Sequence, residues 1–209
     1  MSISQNPMTG QMRKSMANFN TYVHRGQNVI SSKAFNRKDK NSDLQKVQRA
    51  SFKLMGEAWV SLGGFAESGF PVRPERLTPF NYFMALNLPN AIDNSGETPV
   101  INYELMQIAK GTHPGVSIGS STLSDTGISV DYISNIDFPN AVAEDVITLL
   151  AKTTAGVLFS IKVNRGTEST GNIQLPMNNV ARENVEFVYM FVTSADGKKA
   201  SNSLYLKPD

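Results

Sequence analysis

The sequence predicts a mainly β protein with some helix: an antiparallel β-sandwich preceded by an extended arm, a β-hairpin and two helices. Three observations carry this expectation. Beyond residue 100 the chain breaks into short apolar-alternating runs separated by Gly, Pro, Asn, Asp or Ser, the texture of an antiparallel sandwich. Between Leu44 and Leu62 apolar residues recur at helical spacing instead. Ahead of both, "FNTYVH" and "QNVISS" flank Arg25-Gly26, two β-branched and aromatic runs around a turn pair.

In chain order, residues 1–41 read as an extended basic arm with the hairpin, 42–99 as a helical module and 100–209 as the sandwich. Residues 1–15 show no periodicity and are expected to be an extended lead-in. A two-stranded hairpin alone is marginal in water, so the one at Arg25-Gly26 needs something to pack on. Ser42 followed by Gln45 forms a capping box for the main helix. Its apolar side is Leu44, Val47, Leu54, Met55, Ala58, Trp59 and Leu62, and Gly63-Gly64 stops it. Thr78-Pro79 starts the second helix, with Phe80, Phe83 and Met84 on one side and an end before Pro89. Its aromatics are expected to cover one end of the sandwich. The strand candidates are "INYELMQIAKG", "VSIGSSTL", "GISVDYIS", "DVITLLAKTT", "GVLFSIKVNR", "NIQLPM", "VEFVYMFVTS" and "KASNSLYLK"; the last two form a hairpin around Asp196-Gly197.

The composition is that of a chain able to bury a core: 209 residues, 40% apolar, 18% charged, and no cysteine. Disulfides, cysteine-based zinc sites and a cysteine nucleophile are excluded. No run approaches the roughly 18 apolar residues of a membrane span, and the first twenty residues lack the apolar segment of a secretory signal. The chain is therefore expected to be made and kept soluble, with no membrane contact. The net charge of +2 is unevenly spread. Residues 1–53 hold ten Lys/Arg against Asp39 and Asp43, a net +8 that leaves −6 for the remainder. Such asymmetry marks a basic arm meeting an acidic partner.

Chemistry-bearing patterns are sparse. Gly115-Val116-Ser117-Ile118-Gly119 matches the nucleophile elbow by letter, but the elbow needs a following helix and a later histidine. Here "SSTLSDTG" follows, and His24 and His113 both precede Ser117, so a small-residue strand is expected. Two histidines 89 residues apart do not make a usual zinc set. Glu144-Asp145 reads as a turn with solvated charges, and His24 as a polar strand-end residue. No catalytic, cofactor-binding or metal-binding residues are assigned, and no cofactor is expected. Lys46, Arg49 and Lys53 form a basic stripe on the main helix, a contact for an acidic surface or for nucleic acid. The Arg37–Lys40 cluster lacks the interleaved aromatics that stack on single strands.

Three stretches bear a resemblance: "NPMTGQMRKSMANFNTYVHRGQNVISSK", "LQKVQRASFKLM" and "VYMFVTSADGKKASNSLYL". They are similar to the Arg-Gly-containing opening, the Gln-Arg-Ala-x-Phe helix and the Asp-Gly…Tyr-Leu ending of an uncharacterised family of proteins about 200 residues long from Bacteroidota genomes and their phages. The resemblance implies an N-terminal hairpin-and-helix module, a C-terminal immunoglobulin- or fibronectin-III-like domain, and no catalytic residues.

The functional expectation is a non-enzymatic structural subunit of a macromolecular assembly, a phage virion protein in capsid decoration, a connector or a tail. Its partners are other protein subunits in a homo- or hetero-oligomer. Docking would use Arg13, Lys14, Tyr22, Val23, Arg25, Gly26, Val29, Ile30, Lys33, Arg37, Lys38 and Lys40, with strand addition at a sheet edge as one mode. One alternative is an immunoglobulin-like binding module whose loops recognise a glycan or a cell-surface protein. Another is a nucleic-acid-associated basic protein.

Overall fold

The structure, a computed structural model, describes residues 2–4, 14–16, 18–33, 41–96, 98–124, 127–177 and 180–207. It is mainly antiparallel β with three helices among the described residues, and no sheet closes into a barrel. The chain divides into two compact units, residues 1–42 and 43–209.

The first unit is a four-stranded antiparallel sheet. Strands β1 (Ser2–Ser4), β2 (Lys14–Met16), β3 (Phe19–His24) and β4 (Gln27–Ser32) lie in the order β1-β4-β3-β2. The hairpin is where the sequence places it. His24 pairs with Gln27, and between them Arg25 (φ 51°) and Gly26 (φ 78°) are both left-handed. Two successive positive φ values make a two-residue primed turn, whose twist matches that of the flanking strands. Asn18 O accepts from Lys33 N at 2.7 Å and closes the other end. The lead-in differs from expectation. Residues 2–4 and 14–16 are strands that flank the hairpin on both sides, which supplies the support a two-stranded ribbon lacks.

The second unit begins with α1 (Asp43–Leu62), which ends where Gly63 turns left-handed at φ 57°. A helix that the sequence reading missed, α2 (Gly64–Gly69), follows at once, so there are three helices rather than two. Gly69 makes its fit possible: a Cβ there would overlap the Ile108 carbonyl oxygen. α3 (Pro79–Asn87) starts as expected, with Thr78 Oγ1 accepting from Asn81 N at 3.1 Å. The apolar side of α1 is buried at Met55, Ala58 and Leu62. Leu44 departs from expectation: it lies on that side but is 84% exposed, because the first turns of α1 extend past the core.

Strands β5 (Ile92–Asp93) and β6 (Val100–Ile101) form a small ribbon. The rest of "INYELMQIAKG" is not a strand. Asn87, wholly buried, fixes it instead, donating to Gln107 O at 2.9 Å and accepting from Gln107 N at 2.7 Å.

Seven strands complete the unit: β7 (Ser117–Ser124), β8 (Gly127–Ile133), β9 (Val146–Thr153), β10 (Leu158–Asn164), β11 (Thr170–Pro176), β12 (Val185–Thr193) and β13 (Leu204–Leu206). They build a three-stranded sheet, β11-β8-β7, and a four-stranded sheet, β10-β9-β12-β13. Alternation along β9 and β12 sorts two cores. Ile147, Leu149, Ala151, Val188, Met190 and Val192 pack with Ile128, Val130, Ile173 and Leu175 of the three-stranded sheet. On the opposite face Leu150, Phe187, Tyr189 and Phe191 pack with Met55, Leu62, Phe70 and Phe83 of the helical segment. The helices therefore cover a face of the four-stranded sheet, not an end of the β unit as expected. Both faces of β9 and β12 are dry, which explains their near-continuous apolar runs. Burying each of Phe187, Tyr189 and Phe191 to 1% exposure or less contributes about 2–3 kcal/mol.

Candidate functional site

The N-terminal sheet carries most of the residues expected to dock. Lys14 lies in β2, Tyr22 and Val23 in β3, Arg25 and Gly26 in the turn, Val29 and Ile30 in β4, and Lys33 just beyond. Arg13, Arg37, Lys38 and Lys40 lie outside the described residues. Phe19 (49% exposed) and Tyr22 (41%) present aromatic surface, whereas Val29 is buried and offers none. Tyr22 and Val29 are cross-strand partners. On α1, Lys46, Arg49 and Lys53 are exposed. Lys46 Nζ stands 2.9 Å from Asp43 Oδ1, and Lys53 Nζ 3.9 Å from Glu57 Oε1. Both pairs are intrahelical and solvated, so they offset the positive stripe locally.

The most concentrated polar chemistry lies elsewhere, at one pole of the two packed sheets. His113, Asp145 and Arg165 are respectively 7%, 0% and 2% exposed. The sequence reading of Asp145 as a solvated turn residue is thus corrected: its carboxylate is fully inside. Asp145 Oδ2 accepts from Val142 N at 3.0 Å and lies 3.4 Å from Arg165 Nε. His113 Nε2 stands 2.9 Å from the same oxygen, although not aligned as a hydrogen bond. Arg165 spends its remaining donors on loop carbonyls: Ser134 O at 2.8 Å, Asn135 O at 3.5 Å, and Pro114 O in a short contact. Burial pulls the Arg165 guanidinium below its ordinary pKa, against the opposing pull of Asp145 and Tyr132.

Backbone bonds knit the same loops. Arg165 N donates to Asp145 O (2.7 Å), Gly166 N to Ala143 O (3.0 Å) and Ser134 N to Ser169 O (2.8 Å). Asn135, left-handed at φ 53°, donates through its side chain to Gly115 O and Ser117 Oγ, both at 3.1 Å. Ser117 opens β7, and Gly119 sits in a β-bulge between Ile118 and Ser120. Of the Gly-x-Ser-x-Gly letters, Ser117–Gly119 lie in the expected strand, with a bulge, whereas Gly115 and Val116 precede it. Through these contacts Arg165 ties the chain before β7, the β8–β9 loop and the β10–β11 loop together.

A model described as a family of unknown function (DUF6266) matches residues 11–207. The chain belongs to this family. No curated protein and no solved structure matches the chain. The DUF6266 match includes β2–β4 and the loop pole alike, so both are parts of the family's fold rather than an appendage of this chain.

Two further polar clusters lie elsewhere in the larger unit. On the outer face of the three-stranded sheet, Asp131 accepts from Ser120 Oγ (2.5 Å) and Asn172 Nδ2 (2.6 Å), which lowers its pKa. On the helix-covered side, Tyr103 donates to Glu186, whose other oxygen meets Lys152 Nζ at 2.7 Å. Burial, then Glu186, pushes the Tyr103 hydroxyl pKa far up. Among the described residues no group of three His, Asp or Glu side chains is placed to hold a metal ion. Sequence reasoning missed the His113–Asp145–Arg165 cluster because its members lie far apart in the chain. Only their rarity inside an apolar unit signals them.

Proposed function

We propose that the chain is a non-enzymatic structural subunit of a macromolecular assembly of the kind from which phage virions are built, docking onto neighbouring subunits through residues 1–42. The observation that carries this reading is the division of charge between the two units. Residues 1–42 hold seven basic residues against one acidic, a net +6; the chain's +2 leaves −4 for residues 43–209. A compact unit of net +6 whose sheet bears exposed Phe19 and Tyr22 has the composition of an adhesive surface. The larger unit suits a rigid body. Its strand order, three strands (5-2-1) packed on four (4-3-6-7), supports a fibronectin-III-like sandwich. Its own helices occupy the outer face of the four-stranded sheet, which leaves loops, edges and the outer face of the three-stranded sheet for partners. The deepest charged groups serve to fix loops, a structural use of buried charge.

The test is fractionation of native lysates of the producing cells, with the chain followed by antibody. The full chain is expected in particles far heavier than its 22.9 kDa, and a chain lacking residues 1–40 at monomer mass. Full-length chain at monomer mass, or truncated chain still in the particles, overturns the reading.

A further inference from the structure

We propose that a groove walled by Val72, Tyr82, Lys110, Thr112, Lys199 and Asn202 binds a small phosphate monoester. All of these residues belong to the larger unit, so the site does not depend on the docking reading.

Stretches distant in sequence build the groove. Lys110 and Thr112 come from the segment ahead of β7, Lys199 and Asn202 from the β12–β13 connection, and Tyr82 from α3, with Val72 ahead of that helix. Backbone bonds join the first two stretches: His113 N donates to Ala200 O and Ser203 N to Ala109 O, each at 3.1 Å. Gly111 permits the approach, since a Cβ there would overlap the Ala200 carbonyl oxygen. Lys110 N donates to Gly69 O at 3.0 Å and ties the floor to α2. The Tyr82 ring stands edge-on to Phe70, with centroids 5.6 Å apart. A floor fixed in this way needs no rearrangement to receive a ligand.

The lining selects the charge of the ligand. It holds two lysines, two hydroxyl side chains and an asparagine, and no carboxylate. Among the described residues the ammonium groups of Lys110 and Lys199 and the hydroxyls of Thr112 and Tyr82 have no ion-pair or hydrogen-bond partner. Gly111 N donates to Asn202 Oδ1 at 3.3 Å, which leaves Asn202 Nδ2 as an unused donor. Asp196, on the same loop as Lys199, is already engaged: it accepts from Ser194 Oγ (2.6 Å) and Lys198 N (3.0 Å) and stands 3.7 Å from Lys198 Nζ. Asp137, Glu144 and Glu168 offset the charge of the pole as a whole, but none of them lines the groove or pairs with either lysine. Two ammonium groups balance a phosphate monoester, which carries about −1.5 to −2 near neutral pH; a carboxylate would leave one uncompensated. Lysine binds phosphate as a point charge, so the hydroxyls and the amide supply the directional donors. The volume, about 410 Å³, suits a phosphate joined to a single ring, and Val72 and Tyr82 offer that ring an apolar wall.

NMR titration of the isotope-labelled full chain with phenyl phosphate up to about 10 mM tests this, a range that reaches millimolar dissociation constants. Saturable shifts are expected at the amides of Gly111, Thr112, Lys199 and Asn202. Lys110→Ala combined with Lys199→Ala is expected to weaken binding about tenfold or more. Lys110 is half-buried and Lys199 exposed, and neither ammonium has a partner, so the double variant should fold, and circular dichroism verifies it. Lys198→Ala removes a lysine that pairs with Asp196 and does not line the groove, and is expected to leave binding unchanged. Benzoate is expected to bind about tenfold more weakly than phenyl phosphate. A terminally phosphorylated oligonucleotide is expected to bind no tighter than phenyl phosphate. No saturable shift, shifts confined to other residues, or full affinity in the double variant overturns the proposal. A loss in Lys198→Ala as large as in the double variant indicates diffuse attraction and overturns it too. Benzoate binding equal to that of phenyl phosphate overturns the assignment of phosphate, and an oligonucleotide bound about tenfold tighter overturns that of a small molecule.

Discussion

Arg165→Ala is the sharpest perturbation of the larger unit. The side chain is 2% exposed and supplies an ion contact to Asp145 and hydrogen bonds to the carbonyls of Ser134 and Pro114. Its removal strands a fully buried carboxylate whose remaining neighbours are His113 and the Val142 amide. Breaking one side of a buried pair costs about 3–5 kcal/mol. With a urea dependence of about 2 kcal/mol per molar, the unfolding midpoint should fall by about 2 M. Because the partner's isolation is the larger part of that cost, Asp145→Ala combined with Arg165→Ala should lose less than the two single changes together, by about 1–3 kcal/mol. Urea unfolding followed by fluorescence and circular dichroism measures all three variants. A midpoint within about 0.3 M of the parent for Arg165→Ala, or strict additivity, would refute the claim that this cluster locks the pole.

Other changes test other parts of the fold. Gly69→Ala forces a Cβ into the Ile108 carbonyl and should cost about 1–3 kcal/mol, seen as a lower Tm in calorimetry. Thr78→Ala removes the N-cap of α3 and should cost about 1 kcal/mol in the same measurement. The hydrogen bonds from Ser120 and Asn172 hold the pKa of Asp131 below that of a free carboxyl. Its contribution to stability is therefore present above the unfolded value of about 3.9 and disappears as pH falls through the lower folded value. Asp131→Asn should accordingly flatten the loss of Tm between about pH 6 and about pH 2; an unaltered slope would contradict the assignment.

How far the fold was legible follows the range of the forces involved. The hairpin at Arg25-Gly26, the Thr78-Pro79 helix start and the strands from β7 to β12 are set by neighbours in the chain, and local pattern found them. What it missed depends on contacts distant in sequence. α2 exists because Gly69 lets a short helix approach the Ile108 backbone, and the 102–109 segment is non-regular because Asn87 captures Gln107. β1 and β2 are only three residues each and are defined by pairing to β4 and β3, with no internal period to announce them. Leu44 has the spacing of a core residue, but spacing does not say where the core ends. The same holds for the pole: Asp145 beside Glu144 looks solvated until Arg165 and His113 are brought to it.

The central claim, that residues 1–42 are held by another polypeptide, is tested most directly by a photo-crosslinking amino acid placed at Tyr22, which is exposed on β3. Irradiating native particles and sequencing the crosslinked peptides identifies what that side chain touches. The account predicts crosslinks to a different chain. Crosslinks confined to residues 43–209 of the same chain, shown by isotope-mixed protein, would contradict it.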